Sequence, residues 1–224
     1  MTRPRKRIGV LISGRGSNMA ALIDASQKAD YPAEIVLVMS NRADAAGLDL
    51  ADVCGIPTAV IDHKAFSSRA DFEASIDAKL RAADVDFVCL AGFMRILSAG
   101  FADAWKGRLV NIHPSLLPAF KGLNPQQQAL DAGVQISGCS VHFVTSDLDG
   151  GPIVAQAAVP VQPKDTPATL SARILKAEHM LYPLALRMIA EGDVSLNGGR
   201  VHVRNGGTSN TLALFSPPLF QTDL

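Results

Sequence analysis

A carboxamide and an imidazole stand close together in the segment Leu-Val-Asn-Ile-His-Pro-Ser-Leu-Leu-Pro, residues 109–118. Asn111 and His113 are two residues apart at the end of a predicted strand, so both side chains leave the same side of it. Pro114 favours an extended conformation at His113. The two side chains can donate hydrogen bonds to one developing oxyanion, and the imidazole can also move a proton. In the alternative interpretation they only cap backbone groups in a tight turn.

A carboxylate that could act with this pair lies in the segment Thr-Ser-Asp-Leu-Asp-Gly-Gly, residues 145–151. A carboxylate near His113 would favour the imidazolium form of the ring and fix its tautomer. Asp-Gly-Gly is also an ordinary turn sequence, so the residues alone leave Asp147 and Asp149 as alternatives. We interpret His142, in the middle of a predicted strand, as a hydrogen-bonded structural histidine.

A glycine-rich turn, Ser-Gly-Arg-Gly-Ser-Asn at residues 13–18, joins the first predicted strand to a helix. Glycines permit a tight turn, and the free N–H groups of a helix N-terminus attract anions, so the turn predicts a phosphate site. A dinucleotide site is not predicted, because Met19 stands where GxGxxG needs its third glycine and no acidic residue ends the second strand. The alternative is a purely structural turn between strand and helix.

Metal binding and covalent catalysis are not predicted. His63, His179 and His202 have no partner at metal-ligand spacing, and no HExxH motif occurs. No GxSxG motif occurs either, and the three cysteines lie in apolar strand-like or helical contexts, where a thiol is a poor nucleophile. Their odd number also argues against a disulfide framework.

The length and composition indicate one α/β domain over residues 1–224, with a core at about 7–195 and a weakly patterned tail at 196–224. The 21 Lys and Arg residues balance 21 Asp and Glu residues, which argues against a dedicated nucleic-acid binder. No apolar run reaches the roughly 18 residues of a membrane span. We therefore expect a cytoplasmic protein that acts on small molecules, with no nucleic-acid or membrane partner.

Two periodicities alternate along the chain and predict its fold. Stretches of helical spacing separate short apolar runs at residues 8–12, 35–39, 58–61, 85–91 and 109–112, as in βαβ units. Residues 137–144 and 153–161 then form two extended runs around a Gly-rich loop, typical of an antiparallel pair. Thr166 and Pro167 suit the start of a last helix. The predicted class is α/β: an open, mostly parallel, Rossmann-like sheet with helices on both faces and an antiparallel strand pair in the C-terminal half.

Four motifs stand in order along the chain and carry a resemblance to a known family. They are Ile-Ser-Gly-x-Gly-Ser-Asn at 12–18, Leu-Ala-Gly-Phe-Met-Arg-Ile-Leu at 90–97, Asn-Ile-His-Pro-Ser-Leu-Leu-Pro at 111–118 and Asp-Gly-Gly at 149–151. Over about residues 7–195 the chain resembles the phosphoribosylglycinamide formyltransferases, which are folate-dependent enzymes of purine synthesis. The resemblance implies transfer of a formyl group from the co-substrate 10-formyltetrahydrofolate to the primary amine of 5-phosphoribosylglycinamide. The amine would attack directly, through a tetrahedral intermediate.

The resemblance also implies roles for individual residues. The catalytic residues would be Asn111, His113 and Asp149. The residues that bind the substrate phosphate would be Gly16, Ser17 and Asn18, and Glu178 would help to bind the glycinamide substrate. The folate would contact a larger set, namely Arg69, Met94, Arg95, Ile96, Leu97, Asn111, Thr145, Ser146, Asp147, Leu148 and Asp149. No metal is implied.

Other proteins of the same fold are kept as alternatives. A formyltetrahydrofolate hydrolase is expected to carry an N-terminal regulatory domain, and a methionyl-tRNA formyltransferase a C-terminal RNA-binding domain. In this sequence the first predicted strand begins at Ile8, and only about thirty weakly patterned residues follow the core. A noncatalytic nucleotide-binding module would keep the phosphate site without the polar triad. Both a monomer and a homodimer are compatible with the sequence.

Overall fold

The apolar runs form strands of a seven-stranded sheet in the computed structural model, which describes residues 4–204. The strands are β1 (Lys6–Ile12), β2 (Ala33–Ser40), β3 (Thr58–Val60), β4 (Phe87–Leu90), β5 (Leu109–His113), β6 (Ile136–Phe143) and β7 (Ile153–Pro160). Their order across the sheet is β3-β2-β1-β4-β5-β6-β7. Strands β1 to β5 are parallel, β6 is antiparallel to β5, and β7 is antiparallel to β6. The predicted α/β class, with its antiparallel pair in the C-terminal half, is confirmed.

Helices cover both faces of this sheet, because side chains alternate between the faces along each strand. The helices are α1 (Ser17–Ser26), α2 (Ala46–Val53), α3 (Arg69–Ala82), α4 (Ala99–Ala104), α5 (Pro125–Asp131) and α6 (Pro167–Glu191), with a 3-10 turn at His63–Ala65. Val10 of β1 packs in a core with residues of α1, α2 and α6, whereas the next residue, Leu11, packs in a second core with residues of α3 and α4. Strands buried on both faces therefore read as continuous apolar runs.

The longest helix begins where the sequence predicts. The Thr166 side chain accepts a hydrogen bond from the backbone N–H of Thr169, and α6 starts at the following proline. Further along α6, the Tyr182 hydroxyl donates to the carbonyl oxygens of Leu90 and Val110, at 3.1 and 3.2 Å. Since these carbonyls belong to β4 and β5, Tyr182 fixes α6 to both strands of the sheet.

The chain changes its direction of travel across the sheet at β1, whose neighbours are β2 on one side and β4 on the other. In open α/β sheets, ligands bind outside the carboxyl ends of the strands at such a point. The glycine-rich turn follows β1, residues 91–98 follow β4, and Asn111 and His113 lie at the end of β5. The fold therefore brings three of the sequence motifs to one edge of the sheet.

A second, two-stranded sheet lies where the predicted pattern fades. Strand β8 (Val194–Asn197) pairs with β9 (Arg200–Val203) around two glycines of positive φ. Asn-Gly-Gly is a hairpin signal, but strands of four residues are too short to show an alternation by themselves. The rest of the predicted tail, 205–224, lies outside the described residues, and a single domain over the whole chain stays a prediction. No helix in the described part is both long and apolar enough to cross a bilayer.

Candidate active site

The Asp149 carboxylate lies between two imidazole rings, beside the carboxamide of Asn111. The antiparallel register of β5 and β6 places His142 opposite Asn111, and the Asn111 Nδ2 atom is 3.3 Å from His142 Nε2. One carboxylate oxygen of Asp149 is 3.4 Å from His113 Nδ1, and the other is 3.7 Å from His142 Nε2. The structure thus brings together Asn111, His113 and Asp149, which the sequence analysis singled out, and adds His142 to them.

Of the two carboxylates that the sequence left open, Asp149 is the one that faces this cluster. Its side chain is 9% exposed and accepts a hydrogen bond from the backbone N–H of Gly122 at 2.9 Å, whereas the Asp147 side chain is 72% exposed. The turn that aims Asp149 inward is tight, since a Cβ on Gly151 would stand 1.8 Å from the carbonyl oxygen of Phe143. Glycine at this position is therefore what lets the carboxylate reach the imidazoles.

Two hydrogen-bond acceptors lie against the His113 ring. Its Nε2 atom is 2.9 Å from the carbonyl oxygen of Phe120, and its Nδ1 atom is 3.4 Å from the Asp149 carboxylate. A carbonyl and a carboxylate can only accept hydrogen bonds, so together they orient the ring for donation. The His113 ring is therefore held in place as a hydrogen-bond donor.

The partners of His142 favour its neutral form. Its Nδ1 atom is 3.0 Å from the carbonyl oxygen of Phe143 and carries the proton, which leaves Nε2 to accept from the Asn111 amide. Burial lowers the pKa of His142 below its ordinary value of 6.5, although the Phe143 carbonyl and the Asp149 charge act in the other direction. A neutral His142 therefore orients the Asn111 carboxamide.

His142 was not predicted as a site residue, because its position in the middle of a strand was interpreted as structural. The only signal available was that His142 and Asn111 lie on runs that could become neighbouring strands. A short hairpin loop would have specified their register, but 22 residues, including α5, separate β5 from β6. The pairing of Asn111 with His142 is therefore a property of the folded sheet.

The glycine-rich turn presents a helix N-terminus at the end of β1. Gly16 has a φ of 72°, which glycine adopts without strain, and α1 begins at Ser17. No side chain among residues 4–204 caps this helix, so its first N–H groups are free to bind an anion. A Cβ on Gly16 would also stand 3.0 Å from the Cα of Gly47. The predicted phosphate residues therefore have the geometry of an anion site.

Glu178 lies against this turn and contacts one of its residues. The Asn18 Nδ2 atom donates a hydrogen bond to Glu178 Oε2 at 2.8 Å, and Glu178 is 5% exposed. The Oδ1 atom of Asn18 is buried and has no hydrogen-bond partner within the described residues. A buried acceptor of this kind suits a ligand that donates a hydrogen bond. Burial raises the pKa of Glu178 above its ordinary value of 4.5, and the hydrogen bond from Asn18 opposes that rise.

We expect Glu178→Gln to raise the free energy of unfolding at pH 7. Because its pKa is raised in the folded chain, Glu178 contributes stability at pH values below the unfolded pKa, and this contribution is lost as the pH rises through the folded pKa. Gln stays neutral and keeps an oxygen that accepts from Asn18. Urea unfolding of both proteins measures the difference, which should favour the variant at pH 7 and shrink near about pH 4. An equal difference at both pH values would contradict the assignment.

A third group of predicted residues lies where β4 ends and α3 begins. A cavity of ≈ 280 Å³ has Arg69, Arg95 and Ile96 in its wall, so two positive charges face one space. The side chains of Met94 and Ile96 are largely exposed, at 67% and 64%. Leu97 differs from them, because its side chain is buried in the core with residues of α3 and α4. It anchors the segment, while its neighbours remain open to a ligand.

The predicted loop residues Thr145, Ser146, Asp147 and Leu148 lie at the surface, directly before Asp149. A second cavity, of ≈ 340 Å³, has Asp149 and Lys121 in its wall and reaches Arg200 of β9. The structure therefore leaves the side chains of this loop accessible beside Asp149 and the two imidazoles.

The described part of the chain gives no support for metal binding or for catalysis by a buried thiol. Residues 4–204 hold no group of three or more His, Cys, Asp or Glu side chains that could bind a metal ion. Cys89 and Cys139 are buried, and burial raises the pKa of each thiol to about 12. Neither thiol is a nucleophile near neutral pH.

Comparison with known sequences places the chain in a family. Residues 6–186 match the model of a family described as formyl transferase. The chain is 52% identical over 194 residues to the human trifunctional purine biosynthetic protein adenosine-3, which covers 87% of this chain and 19% of that protein. It is 45% identical over 190 residues to phosphoribosylglycinamide formyltransferase of Escherichia coli K12, which covers 85% of this chain and 90% of that enzyme. The chain thus spans about a fifth of the human relative and most of the bacterial one.

Solved structures agree with this placement. Glycinamide ribonucleotide transformylase 1 from Symbiobacterium toebii superimposes with a TM-score of 0.87 at 48% identity, over 89% of this chain and 94% of that one. A formyltetrahydrofolate deformylase from Pseudomonas syringae shares the fold with a TM-score of 0.83, at 26% identity and over 90% of this chain but 67% of that one. The chain belongs to the formyl transferase family, and within it to the phosphoribosylglycinamide formyltransferases.

Proposed function

We propose that the chain transfers a formyl group from 10-formyltetrahydrofolate to the primary amine of 5-phosphoribosylglycinamide, a step of de novo purine biosynthesis. The observation that carries the proposal is the Asp149 carboxylate, which lies 3.4 Å from His113 at the sheet edge where the uncapped helix α1 also begins. Donors for an oxyanion thus lie at the same edge of the sheet as an anion site suited to the phosphate of the amine substrate. Family membership supports the same reaction.

In the first step the amine nitrogen attacks the formyl carbon, and the carbonyl electrons move onto oxygen. The Asn111 amide and the His113 imidazolium donate hydrogen bonds to that oxyanion, each worth about 2.7–4 kcal/mol in comparable sites. His113 Nε2 donates to the Phe120 carbonyl in the absence of substrate, so the oxyanion takes the place of that carbonyl as acceptor. The Asn111 amide is already held by His142, whereas His113 exchanges one acceptor for another as the charge develops.

The second step breaks the bond between the formyl carbon and the folate nitrogen. The attacking nitrogen loses a proton and the departing nitrogen gains one, so no net proton is released. We assign this transfer to Asp149 acting through a water molecule, since its carboxylate is held inside the cluster by the Gly122 N–H. The same carboxylate, 3.4 Å from Nδ1, orients the His113 ring.

His142 contributes to the reaction through Asn111. A carboxamide has two N–H donors on one nitrogen, and His142 accepts one of them at 3.3 Å. The second N–H then has a fixed direction, which suits a donor that must meet an oxyanion in one place.

The residues proposed to bind the folate fit the chemistry of that molecule. Its glutamate part carries carboxylates, and Arg69 and Arg95 supply two guanidinium groups in the wall of one cavity. Exposed apolar side chains at Met94 and Ile96 offer contact surface beside it. The accessible loop before Asp149 supplies the remaining proposed contacts, which are Thr145, Ser146, Asp147 and Leu148, together with backbone of the segment that ends at Leu97.

We expect Gly16→Ala to raise the KM for phosphoribosylglycinamide by about tenfold or more, a change that corresponds to roughly 1.4 kcal/mol of lost binding. Alanine at a φ of 72° introduces strain of about 1–2 kcal/mol, and its Cβ crowds Gly47 where the helix must meet the phosphate. Gly55→Ala is the matched control, because Gly55 has a φ of 71° with open space around it. Both variants should lose stability in urea unfolding, but the KM should rise only in Gly16→Ala.

A formyl-transfer assay tests the proposal against its nearest alternative. The absorbance of the folate is followed with phosphoribosylglycinamide present, and again with the amine left out. Transfer that requires the amine supports the proposal, whereas formate released without it supports a formyltetrahydrofolate hydrolase. Phosphate binding with no reaction in either case supports a noncatalytic module.

The remaining expectations from the sequence stay predictions. They are a cytoplasmic location, small molecules as the only substrates, the lack of a nucleic-acid partner, and a monomer or homodimer.

A further inference from the structure

A buried hydroxyl connects the glycine-rich turn with the segment proposed to bind folate. The backbone N–H of Met94 donates to the Ser13 Oγ atom at 2.8 Å, and that hydroxyl donates in turn to Asn41 Oδ1 at 2.5 Å. Ser13 and Asn41 are 7% and 4% exposed. The Asn41 Nδ2 atom is 3.4 Å from Nδ1 of His63, which lines the same cavity as Arg69. The contacts thus reach from the glycine-rich turn to the Met94 segment and to the cavity lined by Arg69, both of which belong to the proposed folate site.

These contacts lie just beyond the ends of the strand ladders. Ser13 follows β1, Asn41 follows β2, and Met94 lies in the loop after β4, so each has left the sheet by the position where it makes its contact. The Ser13 hydroxyl connects the three segments, and both its donor and its acceptor function are used. Removing it would leave the Met94 backbone N–H and the buried Asn41 amide oxygen without these partners.

We propose that Ser13 and Asn41 are positioning residues that couple the two substrate sites, so that occupation of one site tightens binding at the other. This inference rests on the proposed function, since it takes the turn as the phosphate site and the Met94 segment as part of the folate site. The inference adds a thermodynamic coupling between the phosphate site and the folate site. Each site could bind its ligand without that coupling.

The physical basis of the link is the position of Ser13 at the start of the turn. A phosphate held by the N–H groups of Ser17 and Asn18 restricts the turn, and therefore also restricts the hydroxyl that receives the Met94 N–H. The folate then loses less conformational entropy when it binds to a segment that is already ordered. Coupling between sites is reciprocal, so the folate must favour the phosphate ligand by the same factor.

The test is a titration with tetrahydrofolate, in the absence and in the presence of saturating ribose 5-phosphate, which carries the phosphate but no amine. In the unmodified chain we expect ribose 5-phosphate to tighten tetrahydrofolate binding by at least about fivefold. Ser13→Ala and Asn41→Ala should each reduce that factor to about one, and Ser13→Thr, which keeps the hydroxyl, should restore most of it. Ser26→Ala is the matched control, because its hydroxyl is also buried but bonds within α1 to the Ile23 carbonyl.

The outcomes separate this inference from the proposed function. Independent binding of the two ligands to the unmodified chain, together with normal formyl transfer, overturns the coupling and leaves the function in place. Equal coupling in Ser13→Ala and in the unmodified chain also overturns it. Circular dichroism gives the fraction of the variant that is folded, and the titration is interpreted for that fraction. Failure of formyl transfer in the unmodified chain contradicts the proposed function, whatever the titrations give.

Discussion

Replacing His113 by alanine is expected to lower kcat for formyl transfer by about 10²–10³-fold, with a much smaller change in KM for phosphoribosylglycinamide. The imidazolium donates to an oxyanion that exists only after the amine has attacked, so its removal destabilises the transition state and leaves the bound substrate almost unaffected. Asn111→Ala should behave in the same way, because the Nδ2 atom of Asn111 donates a hydrogen bond to the same oxyanion. Steady-state kinetics with the amine varied at saturating folate measures both constants.

The control for the histidine variant is His202→Ala, which removes an exposed imidazole from β9. We expect kcat and KM within about twofold of the unmodified chain, as is usual for a surface substitution away from the site. A tenfold rise in KM with kcat retained in His113→Ala would be incompatible with the oxyanion role. It would assign His113 to ground-state binding of the amine substrate.

The second large effect is expected for Asp149→Asn, which should lower kcat by about 10²–10⁴-fold. The amide has nearly the same shape as the carboxylate, but it does not stabilise the charged His113 ring at 3.4 Å and does not accept a proton. Steady-state kinetics at pH 7, with each substrate varied at saturating levels of the other, measures the loss.

Asp147→Asn is the matched control, because it makes the same change two residues away in the same loop. The Asp147 carboxylate is 72% exposed and lies 3.3 Å from the ammonium group of Lys121, so its contribution is screened by solvent. Because Asp147 is a proposed folate contact, its KM for folate can change, but we expect its kcat at saturating folate to stay within about threefold of the unmodified chain. Equal losses in the two variants would mean that the loop as a whole, and not the Asp149 carboxylate, supports the reaction.

Local features of the chain predicted much of the fold. Continuous apolar runs marked β1 to β5, because a parallel strand covered by helices on both faces must be apolar at successive positions. Thr166 and Pro167 marked the start of α6, because capping is decided within a few residues. The hairpin of β8 and β9 was missed, since its stability comes from packing against the rest of the domain and its strands carry little pattern of their own.

The candidate site was likewise predicted only in part. Residue types and their spacing were enough to select Asn111, His113 and the glycine-rich turn, because each motif is continuous in the sequence. The choice of Asp149 over Asp147 depended on how closely the Gly151 backbone approaches Phe143, which is a contact between separate segments.

The amino-acid sequence by itself determined which chemical groups are available and on which elements they lie, because periodicity, capping and turn preferences act over a few residues. Only the tertiary structure decided that His142 stands opposite Asn111, that Leu97 is buried in the core, and that Asp149 lies between two imidazoles. It also set the burial that lowers the pKa of His142 and keeps that ring neutral. These properties depend on strand register, burial and distances between segments far apart in the chain, and such quantities exist only once the chain has folded.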